Sequence, residues 1–293
     1  MSELIEISSE FIKAKISTKG AELKSLLDTE SYKEYLWQSN SKWWGRSAPI
    51  LFPIVGKLMD DKYRIGNKYY PMSQHGFARD AEFQVVRAES DSAHFKLEYS
   101  EETLKFYPFK FILEVKFKVY GPKLFVDYEV RNVDRRDMLF SIGSHPAFNI
   151  PLDETDKPTD YYVEFEEEEH GGAYYLENGL VNFHTAPDRR MFNGRKIALT
   201  KDLFKHDALI FKDIVSTKVS LKSISSSRSV VLDFENCPYL GLWAPEGAPF
   251  ICIEPWTGVA DGIDSKNDFF EKEGLVTLES GKCFQSNYSV FIN

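Results

Sequence analysis

The stretch Phe111-Ile112-Leu113-Glu114-Val115-Lys116-Phe117-Lys118-Val119-Tyr120-Gly121-Pro122-Lys123-Leu124-Phe125-Val126-Asp127-Tyr128-Glu129-Val130 decides the fold class. Phe111, Leu113, Val115, Phe117 and Val119 alternate with mostly polar neighbours. Gly121-Pro122 turns the chain, and Leu124, Val126, Tyr128 and Val130 alternate again. A period of two puts residues of one parity on one face of a sheet, so this is a strand–turn–strand signature. The same period recurs at Phe95-Leu97-Tyr99, at Val219-Leu221 and at Val230-Leu232-Phe234. It closes the chain at Phe284, Ser286, Tyr288, Val290 and Ile292. Residues 101–106 and 201–204 predict single helical turns, far short of the ~12–15 residues at which a helix stands unaided. The expected fold is all-β: a large antiparallel β-sandwich or barrel with few short helices. No linker and no internal repeat interrupts it, so residues 1–293 are expected to form one domain. The acidic run at 164–169 reads as a solvated strand edge.

Composition narrows the function. The net charge is −9 and the pI is near 5.3, and no basic stripe alternates with aromatics, which argues against a nucleic-acid partner. The 23 Phe, 15 Tyr and 5 Trp suit strands, and a few of them could cover the C–H face of a sugar. Cys237, Cys252 and Cys283 have no paired spacing, which fits small buried thiols in a reducing compartment. No run of ~18 apolar residues and no secretory leader is visible, so a soluble cytoplasmic protein without a membrane partner is expected. The sequence gives no firm signal of oligomeric state.

Three short segments hold residues that can carry protons. In Gln74-His75-Gly76-Phe77-Ala78-Arg79-Asp80, His75 stands before a glycine that permits backbone geometry closed to other residues. In Gly143-Ser144-His145-Pro146-Ala147-Phe148, Pro146 ends a strand and leaves His145 at its mouth. Its other reading is a core imidazole bonded to a carbonyl. In Phe250-Ile251-Cys252-Ile253-Glu254-Pro255-Trp256, a carboxylate sits inside an apolar run, where burial raises its pKa unless donors compensate. Two imidazoles and a tunable carboxyl suit acid–base chemistry such as an isomerisation or a hydrolysis. Motifs for zinc, dinucleotide, P-loop and serine-hydrolase sites are absent, so no metal and no cofactor is expected. Asp261 and Asp264 read as turn residues.

These segments, in this order, resemble the aldose 1-epimerase (galactose mutarotase) superfamily. Residues 20–26, the segment from Trp43 to Gly56 and His75-Gly76-Phe77-Ala78-Arg79-Asp80 are similar to its LacX-like branch, related to the hexose-6-phosphate mutarotases. The resemblance implies the galactose mutarotase-like supersandwich with a sugar cleft on one sheet. It implies that Glu254 is the general base at the anomeric hydroxyl, that His145 is the general acid at the ring oxygen, and that His75 is a second histidine polarising that side. Asp207 matches a substrate-binding aspartate, and Trp256 is an aromatic candidate for the sugar. Better-known galactose mutarotases carry an Asn-Arg pair near Pro53-Ile54 that this chain lacks. Arg79, Arg46 and Lys57 are the candidate substitutes, Arg79 first. Convergence of the three would point to a sugar phosphate, and dispersal to a neutral sugar. The expected activity is interconversion of α and β anomers of a hexose or hexose phosphate. The alternative is a non-catalytic carbohydrate-binding protein on the same fold.

Overall fold

The computed structural model describes residues 2–293. The hairpin read from the sequence forms as strands Phe111–Tyr120 and Lys123–Asn132, with Tyr120 opposite Lys123 and a two-residue turn between them. It lies inside a ten-stranded antiparallel sheet. On one side follow Ser92–Glu98 and Gln84–Ala88; on the other follow Cys283–Ile292, Ser229–Glu235, Lys218–Ser223 and Tyr161–Phe165. Two short strands, Lys196–Ala198 and Phe192–Asn193, complete the sheet. The last strand of the chain is therefore central, bonded to Lys123–Asn132 on one edge and Ser229–Glu235 on the other.

Alternation follows burial. Phe111, Leu113, Val115, Phe117 and Val119 are buried, while Ile112, Glu114, Lys116, Lys118 and Tyr120 are half-buried or exposed. The inner face packs on a second, seven-stranded sheet. Its long strands are Leu209–Lys212, Tyr239–Trp243 and Phe250–Trp256, and short strands Gly143–Ser144, Ala147–Asn149, Ile50–Leu51 and Ala173–Tyr174 adjoin them. Phe52 meets Phe111 with ring centroids 5.1 Å apart, and Phe165 meets Phe211 at 5.5 Å, so side chains of both sheets share one core. A three-stranded sheet of Leu4–Ser8, Ile12–Ser17 and Glu22–Asp28 flanks the sandwich.

The fold is the all-β sandwich expected, and its helices are short 3₁₀ turns such as Thr103–Lys105. Residues 201–204 form turns without a helix. The acidic run differs from expectation at one place: Glu169 is buried, and its carboxylate accepts from the Val215 and Ser216 amides, 2.9 Å each. A buried carboxylate with two backbone donors is satisfied, so that end of the run is a loop anchor. Of the three thiols, Cys252 is buried, Cys237 half-buried and Cys283 exposed, against the expectation that all three lie inside. Among the described residues no helix is long and apolar enough to cross a membrane.

Candidate active site

Strand Phe250–Trp256 is buried along its whole length. Ile251 and Ile253 point into the common core, so Cys252, Glu254 and Trp256 take the opposite face. That face is the floor of a cleft of about 330 Å³, near the small end for a ligand site. Two glycines on the flanking strands let the Trp256 indole lie flat on the sheet. A Cβ at Gly143 would stand 2.4 Å from the Trp256 ring, and one at Gly241 also 2.4 Å. Gly143 pairs with Trp256 and Gly241 with Glu254.

His145 enters from the neighbouring segment. Its amide donates to Pro49 O, 3.2 Å. Its Nε2 lies 3.1 Å from Glu254 Oε2, with both residues buried. The imidazole stacks on Trp44, centroids 4.7 Å apart and planes 28° apart, and meets the edges of Trp243 and His75 at 5.8 and 5.6 Å. Among the described residues its Nδ1 is buried without a hydrogen-bond partner.

His75 is held differently. Its φ is +66°, a left-handed conformation uncommon outside glycine, and Gly76 follows at +71°. A side chain at Gly76 would collide with Phe52 O at 2.2 Å, which explains the glycine there. The His75 amide donates to Gly56 O, 2.8 Å, and the Gly56 amide donates back to Nδ1, 3.1 Å. Nδ1 accepts, so the neutral ring carries its proton on Nε2; the Gln74 amide nitrogen lies 3.3 Å from it, and the amide accepts that proton when turned to present its oxygen. His75 is thus a neutral, oriented donor.

Burial dominates the electrostatics. It holds the Glu254 carboxyl well above the usual carboxylate range; the Asp207 charge pushes the same way, and the Trp256 indole pulls back. It pulls His145 down to about 3, and the Arg79 and Arg46 cations add to that. His75 is also lowered well below its usual value, by burial first and then by His145 and the two arginines. Burial thus disfavours the charged form of both groups, which meet at 3.1 Å without a well-formed hydrogen bond; in the uncharged pair the single proton is on Glu254.

Of the candidates read from the sequence, His75, His145, Glu254, Arg79, Asp207 and Trp256 all line the cleft. Arg79 donates through Nη2 to Gln74 O, 2.6 Å, and its buried Nε lies 3.9 Å from Asp80 Oδ2 without a hydrogen bond among the described residues. Asp207 stands at the rim with φ +70°, its Oδ1 accepting from the Ala208 amide. Arg46 and Lys57 do not line it. Arg46 is engaged by Asp80, 2.9 Å, and by Arg79 O; Lys57 donates to Asn178 O, 3.2 Å. Arg46 lies behind Arg79, close enough for its charge to reach both histidines, while Lys57 is held at Asn178, so the three cations do not all meet in the cleft. Asp261 is the loop residue expected. It pairs with buried Lys272 at 3.1 Å and accepts from the Met59 amide and the Ser265 hydroxyl. The sequence reading missed Trp44, Trp243 and Gln74. Gln74 adjoins His75, and the two tryptophans lie among apolar or aromatic neighbours, where core packing was the ordinary reading.

The donor set includes one feature absent from the sequence motifs. Ligand atoms of His145, Cys252 and Glu254 all lie within 4.8 Å of one another.

Comparison with known proteins gives the family. The family model described as aldose 1-epimerase matches residues 3–277. The chain is 34% identical to the chromosomally encoded protein LacX of Lactococcus lactis subsp. lactis, covering 98% of this chain and 99% of that one. A galactose mutarotase related enzyme from Lactobacillus acidophilus superposes with a TM-score of 0.92 at 35% identity, covering 100% of this chain and 97% of the other. A galactose mutarotase-like protein from Lactobacillus casei gives 0.91 at 36% identity, covering 99% and 100%. With a family match across nearly the whole chain and full-length relatives above 30% identity, this chain belongs to the aldose 1-epimerase family.

Proposed function

We propose that the protein is a cofactor-independent mutarotase that interconverts the α and β anomers of a neutral aldose. The family supports an isomerase acting on a carbohydrate. The observation that carries the finer reading is the buried contact of His145 Nε2 with Glu254 Oε2, 3.1 Å, on the floor of a sugar-sized cleft. Ring opening takes a proton from the anomeric hydroxyl and gives one to the ring oxygen. A pair holding one proton can do both. The reactive form is the minor tautomer, with the proton moved from Glu254 to His145: Glu254 as carboxylate then receives the hydroxyl proton while His145 as imidazolium delivers its own. The pair then stands as carboxylic acid and imidazole, with the same number of protons. After rotation about the C1–C2 bond of the aldehyde the transfers reverse on either face. His75, fixed as an Nε2–H donor, holds the sugar oxygen without changing its charge. Arg79 and Asp207 at the rim suit hydroxyl recognition, and the flat Trp256 indole suits a C–H face.

The neutral substrate rests on charge. Of the three candidate cations only Arg79 reaches the cleft, and two carboxyl groups, Glu254 and Asp207, share it. A phosphate dianion would meet one guanidinium, with the Asp207 carboxylate in the same cleft. The test is anomer exchange, by NMR saturation transfer or polarimetry, with glucose, galactose and their 6-phosphates. The neutral sugars are expected to turn over, and Glu254→Gln to lose about 10²-fold or more. Full activity in Glu254→Gln would overturn the base assignment. Turnover of the 6-phosphates alone would overturn the neutral substrate, and binding without exchange would leave a non-catalytic sugar-binding protein.

A further inference from the structure

We propose that the cleft is also a site for a divalent cation of the zinc class, held by His145, Cys252 and Glu254, and that its occupancy excludes the sugar. Nothing in the acid–base chemistry uses Cys252. Yet the strand's two-residue period puts its thiol on the same face as Glu254, and the three ligand atoms lie within 4.8 Å of one another. The set is one nitrogen, one sulfur and one oxygen, the ligand types zinc prefers. Two of the three are already spaced for it. Bond lengths of zinc to nitrogen and oxygen, with tetrahedral angles, put those atoms roughly 3.3 Å apart. The contact between His145 and Glu254 is 3.1 Å. Cys252, packed just beneath the cleft floor, has its sulfur within 4.8 Å of the other two ligand atoms and must close on them by side-chain rotation, with the fourth position open to water from the cleft.

Two further features favour a cation. Glu254 Oε2 is buried without a well-formed hydrogen bond among the described residues, so polar valence is left over on the carboxylate oxygen that faces His145 Nε2. Trp44, Trp243 and Trp256 give the ligands aromatic neighbours that lower the local dielectric, while Asp207 offsets the Arg79 charge in the same cleft. Binding replaces protons: the thiol gives up its own, the His145–Glu254 pair gives up the one it shares, and a zinc-bound thiolate, imidazole and carboxylate remain. That removes the proton the proposed reaction needs and fills the space of the sugar. The inhibition therefore rests on the mutarotase reading, whereas the binding does not.

The experiment separates the two. Cobalt(II) is titrated into the metal-free protein and its absorbance recorded. A thiolate-to-cobalt charge-transfer band with intense visible bands is expected, displaced by zinc and abolished in both Cys252→Ser and Cys252→Ala. In parallel, zinc is titrated into the anomer-exchange assay, each variant's rate being taken relative to its own metal-free rate. Zinc is expected to inhibit the unaltered protein competitively with sugar, reversibly by chelator, and at least about tenfold more weakly in the Cys252 variants. Absence of the band, or its survival in both variants because Cys237 or Cys283 supplies the thiolate, overturns the site. A Cys252-dependent band in a protein without exchange activity upholds the site and overturns the mutarotase reading instead.

Discussion

At the scale of single residues, the unusual group is His145. A histidine that moves protons ordinarily has its second nitrogen fixed by an acceptor. Here Nδ1 has none among the described residues, and the ring is held instead by the Trp44 face at 4.7 Å, with the Trp243 and His75 edges around it. The Trp44 carbonyl is itself fixed by the Trp37 indole N–H, 2.9 Å. An indole face attracts a cation, so the stack supports the imidazolium against burial and the two arginines, which push the other way. At roughly 0.5–1 kcal/mol this support corresponds to about half a pH unit. Trp44→Leu should therefore lower kcat several-fold and move the alkaline limb of the pH–kcat profile about half a unit toward acid. Trp44→Phe, which retains a π face, should restore most of the shift. Equal losses in both variants with an unmoved profile would mean that Trp44 only fills space. None of this was legible in the sequence, where Trp43-Trp44 stands in a stretch with no period. His75, His145 and Glu254 were legible because each breaks a local pattern: a histidine before glycine, a histidine before proline, a carboxylate in an apolar run.

At the scale of elements, the strands with a visible period form where the alternation puts them, since ten residues such as Phe111–Tyr120 give five chances to match one face. The short strands around the cleft, Ile50–Leu51, Gly143–Ser144 and Ala147–Asn149, were not legible. Two or three residues carry no period, and these exist because Phe250–Trp256 offers them a template. The central hairpin shows how its outer face tolerates charge. Glu114 stands directly opposite Glu129, an unfavourable pairing. Arg131 answers it, 2.8 Å from Glu129 and 3.6 Å from Glu114, with Lys116 3.6 Å from Glu129. The hydrogen bond from Arg131 leads the shift that draws the Glu129 carboxyl down to about 2. A depressed carboxyl contributes stability above its unfolded value of 4.5 and loses it as pH falls through about 2. The pair faces solvent, so screening keeps the amount small. Arg131→Gln should cost about 0.5–1 kcal/mol at pH 7 in denaturant unfolding, and the gap to the unaltered protein should close toward pH 2. A gap that persists there would mean that Arg131 acts through its aliphatic stem.

At the scale of the whole molecule, the cleft is where the fold and its function pull apart. Segments from residues 44, 75, 145, 207 and 254 meet only because the seven-stranded sheet gathers them, so no window of sequence displays the site. The same sheet buries three titratable groups that water would solvate better. His75 and His145, with lowered pKa values, contribute full stability above their unfolded value of 6.5 and lose it as pH falls, which makes the protein acid-labile. Glu254 works the other way. Its folded pKa is raised, so it is neutral in both states below 4.5 and costs nothing there. As pH rises the unfolded carboxyl ionises while the buried one keeps its proton, and stability falls by about 1.4 kcal/mol per pH unit until the folded group also ionises. Glutamine has the same shape and does not titrate. Glu254→Gln should thus melt near the unaltered protein at pH 4 and above it at pH 7, by about 2–4 °C for each kcal/mol that the raised carboxyl costs in a large domain. The same substitution should abolish anomer exchange. Scanning calorimetry across that pH range decides it. A variant that melts lower at pH 7 would show that Glu254 is held as a satisfied anion, with its base form present in the resting protein.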